Sequence, residues 1–208
     1  MRDPVKERAT LAAKHDFDSL PTDTDIEVRP AHGAELPILA DMAHRLVPGV
    51  QMTAPVLDRY LAFDPECILT FSRQKKLLGA IAFLYLNSRG HDALILDEIC
   101  LTQPDVGLLA SSDEEVSATY IWACATIGRG IAGFGRVAAH LRTPRYVNAD
   151  VFAQPSTKAG HDWLVAMCFK QTPSFQPDLW CYERPRNCLP THVPASIFST
   201  RSYADARH

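Results

Sequence analysis

Apolar residues recur at Ala34, Leu36, Ile38, Leu39, Met42, Ala43 and Leu46, the spacing of one helix face, and Pro48-Gly49 ends the pattern. Just before it, Ile26-Glu-Val-Arg-Pro30 reads as a short strand stopped by proline. A second helix follows. Thr53 stands at its cap and Pro55 in its first turn. Val56, Leu57, Tyr60, Leu61 and Phe63 form its apolar face, and Asp64-Pro65 closes it. The periodicity then shifts. Cys67 to Ser72 and Leu77 to Leu86 are dense in apolar and β-branched residues and flank the charged turn Arg73-Gln-Lys-Lys76, which predicts an antiparallel hairpin. Asn87-Ser-Arg-Gly90 is expected to break the second strand.

Two stretches leave the element type open. Ala93 to Leu101 is an apolar run too short for periodicity to type, and a short helix is the preferred reading. Thr102 to Ser117 is polar and acidic and reads mostly as loop. In Ala118 to Thr126, the order Thr-Tyr-Ile-Trp favours a strand. The competing reading is a helix over 113–127, opened by a Ser112-x-x-Glu115 capping box, with Val116, Tyr120, Cys124 and Ile127 at helical spacing. Glycines at 128, 130, 133 and 135 follow at once and predict a tight turn into the helix that carries Val137, Ala138 and Leu141. Strand, glycine turn and helix start in that order suit an anion. Glycines admit close backbone approach, free N–H groups point outward, and the helix dipole favours negative charge.

Thr143-Pro144 ends that helix, and Asp150 to Gln154 reads as a strand. Pro155-Ser-Thr157 opens another helix carrying Trp163, Leu164 and Met167 to Phe169, and Leu179 to Arg184 reads as the last strand. Three regions result: a loose arm over residues 1–24, a folded domain over 25–185, and an irregular tail over 186–208.

Composition narrows the classes. A chain of 208 residues with 47% hydrophobic and 22% charged positions fits one domain with a full core. The net charge of −3 and the lack of a basic block argue against nucleic acid as a partner. The six cysteines form no C-x-x-C pair, which favours reduced, buried thiols over a metal centre. The start, Met1-Arg-Asp-Pro-Val-Lys-Glu-Arg, is charged, and no apolar run is long enough for a membrane span; a cytoplasmic location is the default expectation.

The order of elements resembles the GNAT-superfamily N-acetyltransferases over roughly residues 26–184. The family's phosphate loop commonly reads Gln/Arg-x-x-Gly-x-Gly/Ala, and Ile127-Gly-Arg-Gly-Ile-Ala132 is similar to it. Val151 to Gly160, continued through Leu164 to Phe169, looks like the family's fifth strand and fourth helix. The resemblance implies an α/β (α+β) domain with a mixed, mainly antiparallel sheet and helices on both faces. It implies acetyl-CoA as co-substrate and no metal. The pyrophosphate would be held at Ile127, Gly128, Arg129, Gly130, Ile131 and Ala132, and the pantetheine amides along Ala123, Cys124 and Ala125. It implies acyl transfer by direct attack of a small-molecule or protein amine on the thioester. Oligomeric state stays open, with a homodimer as one option.

The chain departs from the family pattern in four places. Ile127 replaces a polar residue, Leu164 stands where many members carry a tyrosine acid, and Thr157 stands where asparagine is frequent. Ala118 to Thr126 also contains no carboxylate to act as base. Three residues remain as candidate catalytic or acceptor-contacting groups: Tyr120, His161 and Glu98, the last beside Asp97. Cys124 lacks a neighbour that would lower its pKa. The departures motivate a rival reading, a catalytically silent relative that binds coenzyme A or a protein partner. Gly128-x-Gly-x-x-Gly133 also matches a dinucleotide fingerprint, but the order of elements is wrong for a doubly wound sheet.

Overall fold

The structure is a computed structural model describing residues 16–22, 24–103 and 105–184. The elements run β1 (Glu27–Pro30), α1 (Leu36–Leu46), α2 (Ala54–Phe63), β2 (Ile68–Arg73), β3 (Lys76–Leu86) and α3 (Ser88–Ile95). They continue with β4 (Ala118–Thr126), α4 (Phe134–Leu141), β5 (Asp150–Ala153), α5 (Lys158–Ala166), β6 (Lys170–Gln171) and β7 (Trp180–Tyr182). The strands form one seven-stranded sheet in the order β1-β2-β3-β4-β5-β7-β6. Only β4 and β5 run parallel; the other neighbours are antiparallel. The mixed, mainly antiparallel α/β architecture matches the expectation.

Local chemistry explains most elements. The β2–β3 turn places Gln74 and Lys75 at φ 51° and 67°, the left-handed pair that a two-residue hairpin needs to match strand twist. Thr157 caps α5 by accepting the Gly160 N–H at 3.0 Å. One expectation is reversed. Asn87 to Gly90 does not simply break the chain. The Asn87 side chain accepts the Gly90 N–H at 2.9 Å, so this stretch opens α3 instead. The helix therefore starts earlier than the apolar run suggested. The capping box at Ser112 and Glu115 does not form. Ser111 bonds Glu114 and Asp113 instead, and Ala118–Thr126 is a strand because β3 and β5 pair with it on either side.

Helices cover both faces of the sheet. On one face Phe134 of α4 stacks on Phe71 of β2, centroids 5.7 Å apart, and Trp163 of α5 meets Phe134 at 4.5 Å. On the other face Tyr60 of α2 lies 6.1 Å from Trp122 of β4. The loose arm expected over residues 1–24 is not loose where it is described. Phe17, in a short 3-10 turn over Phe17–Ser19, is fully buried and sits edge-on to Trp163, Phe169 and Tyr182. Burying such a ring contributes about 1.5–3 kcal/mol, enough to dock a short polar segment. At the other end the strand expected over Leu179 to Arg184 is shorter, and β6 was not anticipated. The tail over 186–208 lies outside the described residues. Among the described residues the five cysteines are unpaired, and no helix is long and apolar enough to cross a membrane.

Candidate active site

The parallel pair β4–β5 is short. It runs from Ala118 opposite Asp150 to Ile121 opposite Ala153, where β5 ends. β4 continues to Thr126 and stays paired with β3 on its other side. Its register with β3 slips at this point. Ala82 faces Ala123 and Phe83 faces Ile121, so Trp122 is an extra, bulged residue. The two parallel strands therefore diverge from Trp122 onward. Ala123, Cys124 and Ala125 present an edge whose outward backbone groups have no strand partner among the described residues, a surface that can pair with an extended ligand.

The glycine-rich segment continues from that edge. Gly128–Gly133 is a 3-10 helix that runs into α4. The Ile127 N–H is spent on Leu78 O at 2.8 Å and the Gly130 N–H on Ile127 O at 3.1 Å. The N–H groups of Gly128 and Arg129 precede the first helical bond and have no acceptor among the described residues. Gly128 has φ +55°, a conformation few other residues would accept. The Arg129 side chain is exposed and forms no ion pair among the described residues. A groove of about 440 Å³ lies alongside, with Arg129, Ile131 and Ala132 on one wall and Trp163 beside them. Leu20, Pro21, Thr24 and Asp25 form the opposite wall. Free amides, a helix start and an unpaired guanidinium at one groove suit a phosphate group. Ile127 is exposed at the edge of this array and supplies apolar surface where the sequence lacks a polar side chain.

The candidate catalytic residues fall in different places. Tyr120 is buried on β4, beside the point of divergence. Its hydroxyl accepts from Gln176 Nε2 at 2.9 Å, and Gln176 also donates to Gln154 Oε1 at 3.2 Å. Burial raises the Tyr120 pKa, with the charge of Asp97 adding to the effect, so the phenol stays protonated. His161 is half-buried on α5, its Nδ1 3.4 Å from Asp162 Oδ1 and its ring edge-on to Trp180. Glu98 is exposed beyond α3. No hydrogen bond or ion pair joins His161 or Glu98 to Tyr120. Cys124 is desolvated and its thiol pushed up to about 12, which keeps it neutral and poor as a nucleophile. Leu164 is buried in the core, and Thr157 is occupied in capping α5. Among the described residues no group of three His, Cys, Asp or Glu is placed to hold a metal.

Sequence reasoning did not reach Trp122, Gln154, Gln176 or the Leu20–Asp25 wall. A bulge and a cross-loop amide leave no local pattern. Phe17, an aromatic within a polar stretch, was the available sign that the N-terminal segment docks.

No family model matches the chain, and no curated protein resembles it in sequence. In structure it is similar to the loading GNATL domain of CurA from Lyngbya majuscula. The identity is 14%, the TM-score 0.56, and the match covers 76% of this chain and 97% of that one. The chain has the GNAT fold. Other solved structures align more loosely. Ard1 from Thermoplasma volcanium matches at TM-score 0.48 and 10% identity over 76% of this chain and 95% of its own. A GNAT family acetyltransferase from Brucella melitensis, in complex with acetyl-CoA, matches at TM-score 0.46 and 15% identity over 76% and 87%. The GNAT fold here keeps the parted β4–β5 pair and the glycine-rich helix start in one continuous path.

Proposed function

We propose that the protein is an acyl-CoA-dependent N-acyltransferase that transfers acetyl from acetyl-CoA to an amine. One observation carries this reading. The unpaired edge of β4 leads without interruption to the N–H groups of Gly128 and Arg129 at the start of the 3-10 helix Gly128–Gly133, which runs into α4. An extended thioester ending in a pyrophosphate is the shape that such a path accommodates. The Gly128 and Arg129 amides, the helix dipole and the Arg129 guanidinium would hold the pyrophosphate. The edge at Ala123, Cys124 and Ala125 would pair with the pantetheine amides and orient the thioester at Trp122. Acetyl transfer joins the amine nitrogen to the acyl carbon as the carbon–sulfur bond breaks, and the proton lost by nitrogen balances the one gained by sulfur. The amine must arrive neutral and aligned, a task for the face that carries Tyr120.

A second reading is a catalytically silent relative that binds coenzyme A. It is favoured by the buried Leu164 and by a β4 without carboxylates. Titration calorimetry with acetyl-CoA, followed by thiol release across a panel of amines, separates the two. Binding with turnover supports the transferase. Binding without turnover supports the silent relative. No binding at millimolar acetyl-CoA overturns both.

A further inference from the structure

Two hydrogen-bond donors on one face of β4 are buried without an acceptor. The Trp122 indole N–H makes no hydrogen bond among the described residues. The Tyr120 hydroxyl accepts from Gln176, and its own proton has no acceptor among the described residues. The two side chains share a face. Trp122 lies against Tyr60, Tyr60 and Leu84 line one small pocket, and Leu84 is the cross-strand partner of Tyr120. Buried donors are nearly always paired, and an orphaned one costs the free energy of desolvation with no return. Phenylalanine at 122 would fill similar space without that cost. Trp122 is moreover the bulged residue at which β5 leaves β4, so the orphaned donor is carried by the residue where the strands part.

We infer that Trp122 Nε1–H and Tyr120 O–H together bind one sp² oxygen of the acceptor, on a carbonyl or carboxylate next to its amine. This deepens the N-acyltransferase reading and rests on it. A carbonyl oxygen has two lone pairs and a carboxylate two oxygens, so either can receive two donors. Both donors are neutral, so they select by position rather than by charge. Gln176 fixes the Tyr120 oxygen from one side, which leaves the proton to point elsewhere. Next to Gln176, Phe175 is 76% exposed, and its backbone N–H donates to Ile95 O, which holds this loop beside α3. Tyr60 and Trp122 make the surroundings aromatic, so an acceptor with an aromatic side chain suits them.

The test uses the full chain in the presence of coenzyme A, with three matched probes in titration calorimetry: phenylalaninamide, phenylalanine and phenethylamine. They share ring and amine and differ in the oxygen. The wild type is expected to bind one or both oxygen-bearing probes about tenfold tighter than phenethylamine, the scale of one or two neutral hydrogen bonds. A preference for the amide identifies a neutral carbonyl, and a preference for the acid identifies a carboxylate. Trp122→Phe and Tyr120→Phe should each erase part of that preference, weakening the oxygen-bearing probes more than phenethylamine. Trp122→Phe should also leave the melting temperature unchanged or raised, which a packing role alone would lower. Equal binding of the three probes, binding of none, or an undiminished preference in both variants overturns the inference. Loss of coenzyme A binding by the wild type would instead overturn the transferase reading.

Discussion

The backbone oxygen of Pro21 sits so close to Gly135 that a β-carbon there would stand 1.8 Å from it. This contact presses the N-terminal segment onto the first turn of α4 and fixes one wall of the groove beside the glycine-rich helix. Gly135→Ala is therefore expected to destabilise the fold by about 1–3 kcal/mol, the usual cost of overpacking. Because the wall must shift, acetyl-CoA affinity should fall as well. Urea denaturation and calorimetry on the same variant check the two effects. An alanine that leaves both unchanged would mean that the segment does not bind where it is seen.

Arg129 and Ala132 are exposed on the opposite wall, so their substitution tests ligand binding with little effect on folding. Arg129→Glu and Ala132→Glu place a negative charge where a pyrophosphate would lie. Each is expected to weaken acetyl-CoA binding by about tenfold or more at low salt, with an unchanged melting temperature. The difference from wild type should shrink as salt is added, since exposed charges are screened. Affinity that does not respond to either charge would place the ligand elsewhere.

At the far end of α4, His140 Nε2 lies 3.2 Å from the Tyr85 hydroxyl, within a cluster that includes Glu66, Tyr146, Asp64 and Arg145. Burial lowers the His140 pKa; the charges of Glu66 and Asp64 oppose this, and Arg145 adds to it. The folded protein thus holds His140 neutral, and the unfolded chain binds the extra proton. The stability this contributes is complete above about pH 6.5, the unfolded value, and declines as pH falls below it. Denaturation midpoints measured from pH 8 to pH 5 should drop in the wild type and drop less in His140→Gln. Parallel profiles would remove His140 as the cause.

Arg184 ties three elements together. Its guanidinium donates to Leu141 O and, at 2.9 Å, to Tyr146 O, and it pairs with Asp18 at 3.2 Å. Burial raises the Asp18 pKa even with Arg184 alongside, so the carboxylate gains little from this pair. The two partners are therefore not equivalent. Arg184→Met strands two buried carbonyls and is expected to cost about 3–5 kcal/mol. Asp18→Asn keeps a hydrogen-bonding group and should cost about 1 kcal/mol or less. Equal losses in the two variants would show that the ion pair dominates.

The elements that could be read from the chain are those decided within a few residues. The spacing of Leu36, Leu39 and Met42, the run Leu77 to Leu86 and the cluster from Gly128 to Gly135 predicted helix, strand and helix start, and each is present. Where the same local chemistry allowed two outcomes, reading failed or stayed open. Asn87 could end a strand or cap a helix, and Ala118–Thr126 could be helix or strand. The sheet made that second choice, because β3 pairs along the whole strand and β5 pairs with its first four residues, Ala118 to Ile121.

By itself, the sequence determined the order of all strands but β6, the glycine cluster from Gly128 to Gly135 that leads into α4, and the absence of a carboxylate on β4. Tertiary structure alone decided that β4 and β5 part at Trp122, that Phe17 docks beside Trp163, and that Gln176 reaches Tyr120. Those relations depend on register and on contacts between residues far apart in the chain. A bulge moves a donor without changing a single residue, and only the packed sheet shows which donors are left unpaired.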